Sequence, residues 1–254
     1  MLAIDRRNDM MAQIQREGSA RVLDLSQKYD VTEETIRRDL EKLEEEGRVT
    51  RTYGGAVLNK GTKEELSINI RETRNPTGKN RIARKVSELI REGESLMMDA
   101  STTTMFVIRY LKGKPGITVI TNSLRVPMEA VQQGAELEVI VAGGTFRSSS
   151  LSMIGNRTMN MLDSYYVDTA IIGCKGFDPE KWTYEPHEME AEIKKTMRRN
   201  AQRVILVADY TKFYQKSFIR TLSVGDINVI VTDRKLTEDI EAFLQQKNIS
   251  VYYA

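Results

Sequence analysis

Residues 32–47, Thr-Glu-Glu-Thr-Ile-Arg-Arg-Asp-Leu-Glu-Lys-Leu-Glu-Glu-Glu-Gly, contain the pattern that decides the fold of the first part of the chain. Ile36, Leu40 and Leu43 recur at the spacing of one face of an α-helix. Thr32 is the expected N-cap, and the two glutamates after it lie where the helix dipole favours acidic side chains. The closing glycine is expected to end the helix.

The segments on either side of this helix complete a recognisable module. Apolar residues within 2–14 and 22–29 predict two earlier helices, and a tight connection separates the second of these from the helix already described. Two β-prone runs around a glycine pair then predict a hairpin. This is the layout of a winged helix-turn-helix, whose second helix enters the major groove of DNA. We therefore expect a DNA-binding domain over 1–58, with the helix-turn-helix at about 20–46 and the wing at 48–58.

The charged face of the predicted recognition helix supplies the candidate DNA contacts. Placing the apolar stripe inward turns Arg38 outward and leaves Arg37 on the flank. A guanidinium can bind guanine through two hydrogen bonds, and wing arginines can meet phosphate or a groove edge. The candidates are Thr35, Arg37, Arg38, Lys42, Arg48 and Arg51. Paired arginines are also typical of a solvated face, and the acidic run 44–46 is expected to face solvent away from DNA.

Strands and amphipathic helices alternate in the remainder of the chain, which favours an α/β domain with a mainly parallel sheet. Several strands are continuous apolar runs, as expected where both faces of a sheet are buried. The predicted strands are 95–99, 118–121, 137–142, 169–173, 204–208, 229–232 and 250–253. The predicted helices are 79–91, 103–111, 124–133, 188–200 and 238–246. Residues 59–78 lack periodicity and are interpreted as a linker, so the second domain is expected to cover 79–254.

Polar and flexible residues follow five of these strands. Ligands of open α/β sheets bind outside the carboxyl ends of the strands, so these residues are expected to converge on one edge. Their hydroxyl groups and lysines suit a small anionic ligand rich in hydroxyls. The candidate effector-binding residues are Asp99, Ser101, Thr102, Thr103, Thr121, Asn122, Ser123, Gly143, Gly144, Lys175, Asp209 and Lys212.

Composition and charge exclude several classes of protein. The 254 residues hold 38 basic and 36 acidic side chains, a single cysteine and no apolar run long enough for a membrane span. The net charge of +2 argues at face value against a nucleic-acid partner. The small total conceals a basic strip, because 48–85 contain ten basic and three acidic residues. Specific DNA binding is therefore expected to depend on a few placed arginines, with modest non-specific affinity.

Several strings of the sequence resemble the DeoR family of bacterial transcriptional regulators. In the predicted DNA-binding domain over 1–58, here called the head, these strings are Val-Thr-Glu-Glu-Thr-Ile-Arg-Arg-Asp-Leu at 31–40, Leu-Glu-Glu-Glu-Gly at 43–47 and Arg-Thr-Tyr-Gly-Gly-Ala at 51–56. In the second domain they lie at 99–103, 121–123, 142–144, 168–173, 190–194 and 208–213. The resemblance covers nearly the whole chain in the right order. It departs from the family at Tyr53, where histidine is common, and over 178–187.

The resemblance implies an operator-binding head and an effector-sensing domain related in fold to ribose-5-phosphate isomerase and the CoA-transferase-like group. It implies a repressor of a carbohydrate catabolic operon that is relieved by a phosphorylated sugar or a related intermediate. It further implies double-stranded operator DNA as a partner and a homo-oligomer, a dimer or a tetramer.

An enzyme on the same fold is the alternative, either a sugar-phosphate isomerase or a CoA-transferase-like protein. Asp99, Asp168, Glu190, Asp209 and Lys212 could carry acid–base chemistry there. The helix-turn-helix head favours the regulator, because an isomerase needs no such head.

Single histidine and cysteine residues leave little for metal chemistry. His187 is the only histidine and is expected to pack in a loop, while Cys174 is expected to be a small core residue. No metal and no cofactor are expected. The charged start of the chain does not fit a signal peptide, so a cytoplasmic protein without membrane association is expected.

Overall fold

The computed structural model describes residues 2–58, 62–63 and 65–254. The chain divides into two compact units, Met1–Glu64 and Glu65–Ala254. Each unit has its own buried apolar core.

The first unit is the predicted winged helix-turn-helix. Its elements are α1 (Ala3–Glu17), β1 (Ser19–Arg21), α2 (Val22–Tyr29), α3 (Glu33–Glu45), β2 (Val49–Thr52) and β3 (Gly55–Leu58). The predicted cap of α3 is confirmed, because the Thr32 hydroxyl accepts a hydrogen bond from the Thr35 amide at 3.3 Å. The predicted hairpin is confirmed as β2 and β3, and β3 also pairs with β1, a short strand that the sequence did not predict.

The second glycine of the wing pair has a steric cause. Gly55 pairs with Arg21 across β1 and β3. A Cβ atom added to Gly55 would lie 2.0 Å from the carbonyl oxygen of Ala20. Only glycine therefore lets β1 approach the wing this closely.

A buried ion pair joins the first helix to the recognition helix. Asp39 lies in α3 with only 4% of its surface exposed. Its carboxylate accepts a hydrogen bond from Arg6 Nε at 2.6 Å and lies 3.4 Å from Arg7 Nη1. The apolar stripe of α3 is buried beside it, with Ile36 and Leu43 fully enclosed. The orientation of α3 therefore depends on both apolar packing and this charge pair.

The second unit is an α/β domain. It opens with α4 (Ile68–Thr73), α5 (Pro76–Leu89), β4 (Ser95–Met98), α6 (Thr102–Val107), β5 (Thr118–Thr121), α7 (Arg125–Gln133) and β6 (Glu138–Val141). It continues with β7 (Thr145–Arg147), β8 (Ser152–Ile154), α8 (Asn156–Asp163), β9 (Val167–Gly173), β10 (Gly176–Phe177), β11 (Trp182–Glu185) and α9 (Glu188–Arg199). It ends with β12 (Ala201–Val207), β13 (Ile219–Ser223), β14 (Val229–Thr232), α10 (Glu238–Gln246) and β15 (Ser250–Tyr253).

Seven strands form the central sheet in the order β15-β14-β12-β9-β4-β5-β6, and every neighbouring pair is parallel. All seven predicted strands are present, and the predicted mainly parallel α/β domain is confirmed. From β4 the chain builds outward through β5 and β6 and then returns to add β9 on the other side. The strand order therefore reverses between β4 and β9, which is where open α/β sheets bind their ligands.

Two small antiparallel features were not predicted. The hairpin of β7 and β8 and the three-stranded sheet β10-β11-β13 are built from strands of two to five residues. Runs this short do not produce a readable period-two pattern. Phe177 and Leu222 are buried in this region, and the small sheet extends the domain at the carboxyl end of β9.

The predicted linker at 59–78 differs from the structure. The second unit begins at Glu65, and α4 together with the start of α5 occupies the latter part of that stretch. Ile68 is buried, whereas the polar residues of α4 hide its helical period. Residues 59–61 and 64 of the predicted linker lie outside the described residues.

Breaking the pair between Arg6 and Asp39 tests its contribution to the head. Asp39→Ala leaves the Arg6 guanidinium buried without its carboxylate, so we expect a loss of about 2–4 kcal/mol in the free energy of unfolding of the head. Glu34→Ala removes the exposed partner of Arg38 and is the matched control, with an expected change below about 0.5 kcal/mol. Urea unfolding followed by circular dichroism measures both, and equal effects of the two variants would refute the structural role of the pair.

Candidate DNA-binding and effector sites

The outward face of α3 carries the predicted recognition residues. The Arg38 side chain is 75% exposed, and its Nε lies 3.4 Å from Glu34 one turn earlier. Arg37 is also exposed and donates a hydrogen bond to Glu33 at 2.6 Å. Thr35 is half-buried, with its hydroxyl 3.0 Å from that of Thr32. Lys42 is exposed. The recognition helix therefore presents its two arginines already paired with carboxylates of its own first turn.

The wing arginines are paired in the same way. Arg48 Nη1 lies 3.3 Å from Glu46, and Arg51 Nη1 lies 3.5 Å from Glu41. The acidic run 44–46 differs from the prediction at its first member. Glu44 is half-buried and accepts a hydrogen bond from the Arg51 amide at 2.9 Å, so it joins α3 to the wing. Its two successors are exposed, as predicted.

A cleft opens in the second unit at the carboxyl ends of β4, β9 and β12. It encloses about 760 Å³ of empty space, including the solvent at its mouth. Six of its lining residues are cationic: Arg71, Arg74, Lys79, Lys175, Lys194 and Lys212. Three are carboxylic acids: Glu65, Glu185 and Glu190. Ser101, Thr102, Thr103, Ser150 and Gly173 also line the wall.

Five of the predicted effector residues line this cleft together: Ser101, Thr102, Thr103, Lys175 and Lys212. Asp99 lies behind the wall, where its carboxylate accepts a hydrogen bond from the Gly173 amide at 2.9 Å. Asp209 is also buried and accepts a hydrogen bond from the Thr211 amide at 2.9 Å. Both aspartates therefore shape the loops that carry cleft residues.

The structure does not bring the other five predicted residues to the cleft. Thr121 donates a hydrogen bond to the carbonyl of Met98 at 2.6 Å, and the Ser123 amide donates to the Thr121 hydroxyl. Asn122 donates a hydrogen bond to the Met153 carbonyl, so these three residues join β5 to neighbouring strands.

The glycine pair after β6 is also a structural feature. Gly143 accepts a hydrogen bond from the Thr158 hydroxyl at 2.9 Å. Gly144 has a φ of +155° and no space for a Cβ, because Thr158 Oγ1 would lie 2.1 Å from it. Gly144 therefore allows α8 to pack closely against the end of β6.

The Lys194 ammonium lies at the base of the cleft between two carboxylates. Its Nζ is 3.1 Å from Asp99, donates a hydrogen bond to the Gly173 carbonyl at 3.0 Å and is hydrogen-bonded to Glu185. Burial opposes the charge, but the two carboxylates outweigh it and raise the pKa of Lys194. Burial likewise opposes ionisation of Asp99, yet Lys194 and hydrogen-bond donors lower the pKa of that carboxyl below its ordinary value. Burial dominates at Glu185 and raises its pKa.

Sequence reasoning missed much of the cleft wall. Glu190 and Lys194 both lie in the stretch 190–194 that resembles the DeoR family, but the sequence singles out only Glu190, as a candidate for acid–base chemistry. Glu190 accepts hydrogen bonds from Ser150 at 2.8 Å and Ser152 at 2.6 Å. The basic strip was the one signal for Arg71, Arg74 and Lys79, which lie in or beside the stretch interpreted as linker.

Cys174 and His187 differ in part from their predicted roles. Cys174 is half-buried and lines the cleft, and burial together with Glu185 raises the pKa of its thiol to about 12. His187 precedes α9, as expected of a loop residue, but its buried Nδ1 has no hydrogen-bond partner in the described part of the chain. The described residues contain no group of three or more histidine, cysteine or acidic side chains that could hold a metal ion.

A winged helix-turn-helix head followed by an α/β unit with a cationic cleft defines the class of ligand-responsive transcriptional regulators. A model of the DeoR-like helix-turn-helix domain matches residues 6–62, and a model of the DeoR C terminal sensor domain matches residues 74–234. The chain therefore belongs to the DeoR family. It is a DNA-binding transcriptional regulator and not an enzyme, and the isomerase or CoA-transferase alternative is set aside.

Curated relatives match over nearly the full chain. An uncharacterized HTH-type transcriptional regulator of Bacillus subtilis, YulB, is 34% identical over 99% of this chain and 96% of its own length. The L-fucose operon activator of Haemophilus influenzae is 31% identical over 96% of this chain and 97% of its own. The glycerol-3-phosphate regulon repressor of Escherichia coli is 29% identical, with 92% of each chain covered.

Solved structures give a more distant likeness. Ribose 5-phosphate isomerase A of Methanocaldococcus jannaschii is 19% identical, with 55% of each chain covered and a TM-score of 0.40. This is too low for any conclusion about activity. No helix among the described residues is long and apolar enough to cross a membrane.

The neighbouring residues Lys194 and Lys195 offer a matched test of the buried cation. Lys194→Met leaves Asp99 and Glu185 without their shared partner, so we expect a loss of about 3–5 kcal/mol in the free energy of unfolding of the second unit. Lys195→Met removes an exposed pair with Glu192, and we expect a change below about 0.5 kcal/mol.

The contribution of Asp99 to the free energy of unfolding is expected to depend on pH. Because the pKa of Asp99 is lowered in the folded protein, its contribution is present at neutral pH and is lost as the pH falls below about 4. Denaturant unfolding at pH 7, and at a series of pH values below about 4, measures this loss in the parent protein and in both variants. A Lys194→Met protein as stable as the Lys195→Met protein would contradict the assignment.

Proposed function

We propose that this regulator represses a carbohydrate catabolic operon and is released from its operator by a phosphorylated sugar or a related intermediate. The observation that carries the proposal is the cleft at the strand-order reversal of the second unit, where six cations meet a set of hydroxyl groups. The cations suit a phosphoryl group, and Ser101, Thr102 and Thr103 offer donors and acceptors to sugar hydroxyls. Lys175 and Lys212 are the predicted charge partners.

The relatives support this effector class. The names of two of them refer to glycerol 3-phosphate, a phosphorylated polyol, and to L-fucose, a sugar. One is a repressor and the other an activator, so the direction of control rests on the family resemblance. By linkage, whatever the effector does to operator affinity, the operator does equally to effector affinity.

We further propose that Thr35, Arg37, Arg38, Lys42, Arg48 and Arg51 contact DNA. Arg38 is the leading candidate for reading bases, because it lies opposite the buried stripe of α3 and is the most exposed of the paired arginines. A single head covers few base pairs, so we propose that the protein acts as a homo-oligomer, a dimer or a tetramer, on repeated or palindromic half-sites. We place it in the cytoplasm, where its operator would lie.

Arg38→Ala is expected to weaken binding to the operator by about 1–3 kcal/mol and binding to random DNA far less. Arg16→Ala is the matched control: Arg16 is equally exposed on α1 and paired with Glu17, outside the recognition helix. Fluorescence anisotropy at fixed salt measures both proteins on both DNAs, with the operator found first by selection from genomic fragments. Equal losses on operator and random DNA would show that Arg38 contacts only the backbone.

Thr102→Val is expected to reduce the effector response at least about tenfold, because it removes a hydroxyl from the cleft wall while keeping the shape of the side chain. The effector is identified first by a thermal-shift screen of sugar phosphates against the full chain. Thr118→Val, at the amino end of β5, is the control and is expected to respond as the parent does. Full operator release by the same effector concentration in both variants would remove Thr102 from the site.

A further inference from the structure

Lys79 is an unusual lysine. It lies on α5 with only 2% of its surface exposed, yet its Nζ donates a hydrogen bond to a backbone carbonyl, that of Arg71, and not to a carboxylate. In the described part of the chain this is the one side-chain hydrogen bond of Lys79. Buried lysines are normally paired, because an uncompensated ammonium in a low-dielectric site is unfavourable.

Three further cations converge with Lys79 on the same part of the cleft. Arg71 lies in α4, Arg74 lies between α4 and α5, and Lys212 lies in the turn after β12. Arg71 Nη2 is 3.2 Å from Glu65, but Arg71 Nε is buried and has no hydrogen-bond partner among the described residues. Among the described residues, the group therefore contains a buried ammonium that forms no ion pair and a guanidinium donor that has no hydrogen-bond partner.

The charges that act on Lys79 come from the preceding segment and from the turn after β12. Arg71 and Arg74 face it from the preceding segment, while Lys212 and Asp209 face it from the turn after β12. The carboxylate of Asp233, after β14, accepts hydrogen bonds from the Asn75 side chain at 2.8 Å and from the Tyr210 amide at 2.7 Å. Helix α6 contributes the hydroxyls of Thr102 and Thr103 and no charge. Burial and the three cations outweigh Asp209 and lower the pKa of Lys79 to about 7.

We propose that Arg71, Arg74, Lys79 and Lys212 form the subsite for the phosphoryl group of the effector, and that Lys79 takes up a proton from solvent when the dianion binds. The inference rests on the proposed function and specifies which part of the cleft takes the phosphate. A bound dianion replaces repulsion among the four cations with attraction, so the charged form of Lys79 is stabilised. Lys175 and the hydroxyl residues Ser101, Thr102 and Thr103 then remain for the sugar end of the ligand.

The position of this subsite along the chain bears on regulation. Three of its four cations belong to residues 65–79, the stretch that immediately follows the unit Met1–Glu64. Phosphoryl binding therefore acts directly on the first segment of the sensor after the DNA-binding unit. A ligand that changes the charge and packing of this segment can affect the head through the polypeptide chain that joins the two.

Isothermal titration calorimetry of the full chain with inorganic phosphate tests the subsite at pH 8, where the probe is predominantly a dianion. Titrations in two phosphate-free buffers with different ionisation enthalpies report the protons taken up. The parent protein is expected to take up about 0.9 proton per phosphate, because a group with a pKa of about 7 is mostly neutral at pH 8 before binding. Lys79→Met is expected to bind phosphate at least about tenfold more weakly and without proton uptake.

Arg84→Met is the matched control, since Arg84 lies on the exposed face of the same helix and does not line the cleft. It is expected to match the parent in both affinity and proton uptake. Thermal melting without phosphate checks the fold, and Lys79→Met is expected to melt no lower than the parent, because it removes an unpaired buried charge.

Lys212→Met provides a second route should Lys79→Met fail to fold. It is expected to weaken phosphate binding and also to reduce proton uptake, because loss of the Lys212 repulsion raises the pKa of Lys79 in the free protein. Equal affinity and equal proton uptake in all three variants and the parent would overturn the subsite. A sugar phosphate that still released the operator would in that case leave the proposed function intact. Failure of both phosphate and every sugar phosphate to bind the parent would overturn both proposals.

Discussion

The sensor unit is organised around one buried cation, the ammonium of Lys194. It joins α9 to the ends of β4, β9 and β11 through Asp99, the Gly173 carbonyl and Glu185. Asp99 in turn accepts a hydrogen bond from the Gly173 amide, so both backbone groups of that glycine are held. Gly173 has to be glycine, because an added Cβ would lie 2.3 Å from Ser101 Oγ. The loops that follow β4 and β9 are therefore fixed before any ligand arrives.

The cleft has two different halves. The base, around Lys194, is fixed by ion pairs, whereas the wall, around Lys79, is electrostatically unfavourable. At the base, every charge has a partner, and the hydrogen bonds are mutually satisfied. Along the wall, burial and repulsion from neighbouring cations lower the pKa of Lys79. The preorganised base limits the reorganisation that binding requires. A bound anion stabilises the wall most, because it relieves the repulsion among the wall's cations. Affinity and response can thus arise from different residues of one cleft.

Apolar periodicity was enough to predict the recognition helix, and apolar runs were enough to predict all seven strands of the main sheet, because burial selects those patterns directly. Two β-prone runs around a glycine pair predicted the wing. The site was predicted less completely. The strand ends at Thr121 and Gly143 are polar like the one at Ser101, but they lie away from the strand-order reversal. The Thr121 hydroxyl donates to the Met98 carbonyl, and the Gly143 carbonyl accepts from the Thr158 hydroxyl. The cations of residues 71–79 form no periodic pattern, and only the fold shows that they face inward.

The inclusion of residues 65–79 in the sensor wall sets a rule for recombining such regulators. A chimera that joins a foreign head at residue 79, where the regular α/β pattern of the sequence begins, would discard the arginines of α4 and its neighbouring turn and truncate α5. The fused sensor would keep the sheet and the Lys194 base but would lose much of its cationic wall. Heads are therefore exchangeable at the boundary before Glu65, and the stretch that resembles a spacer has to travel with the sensor.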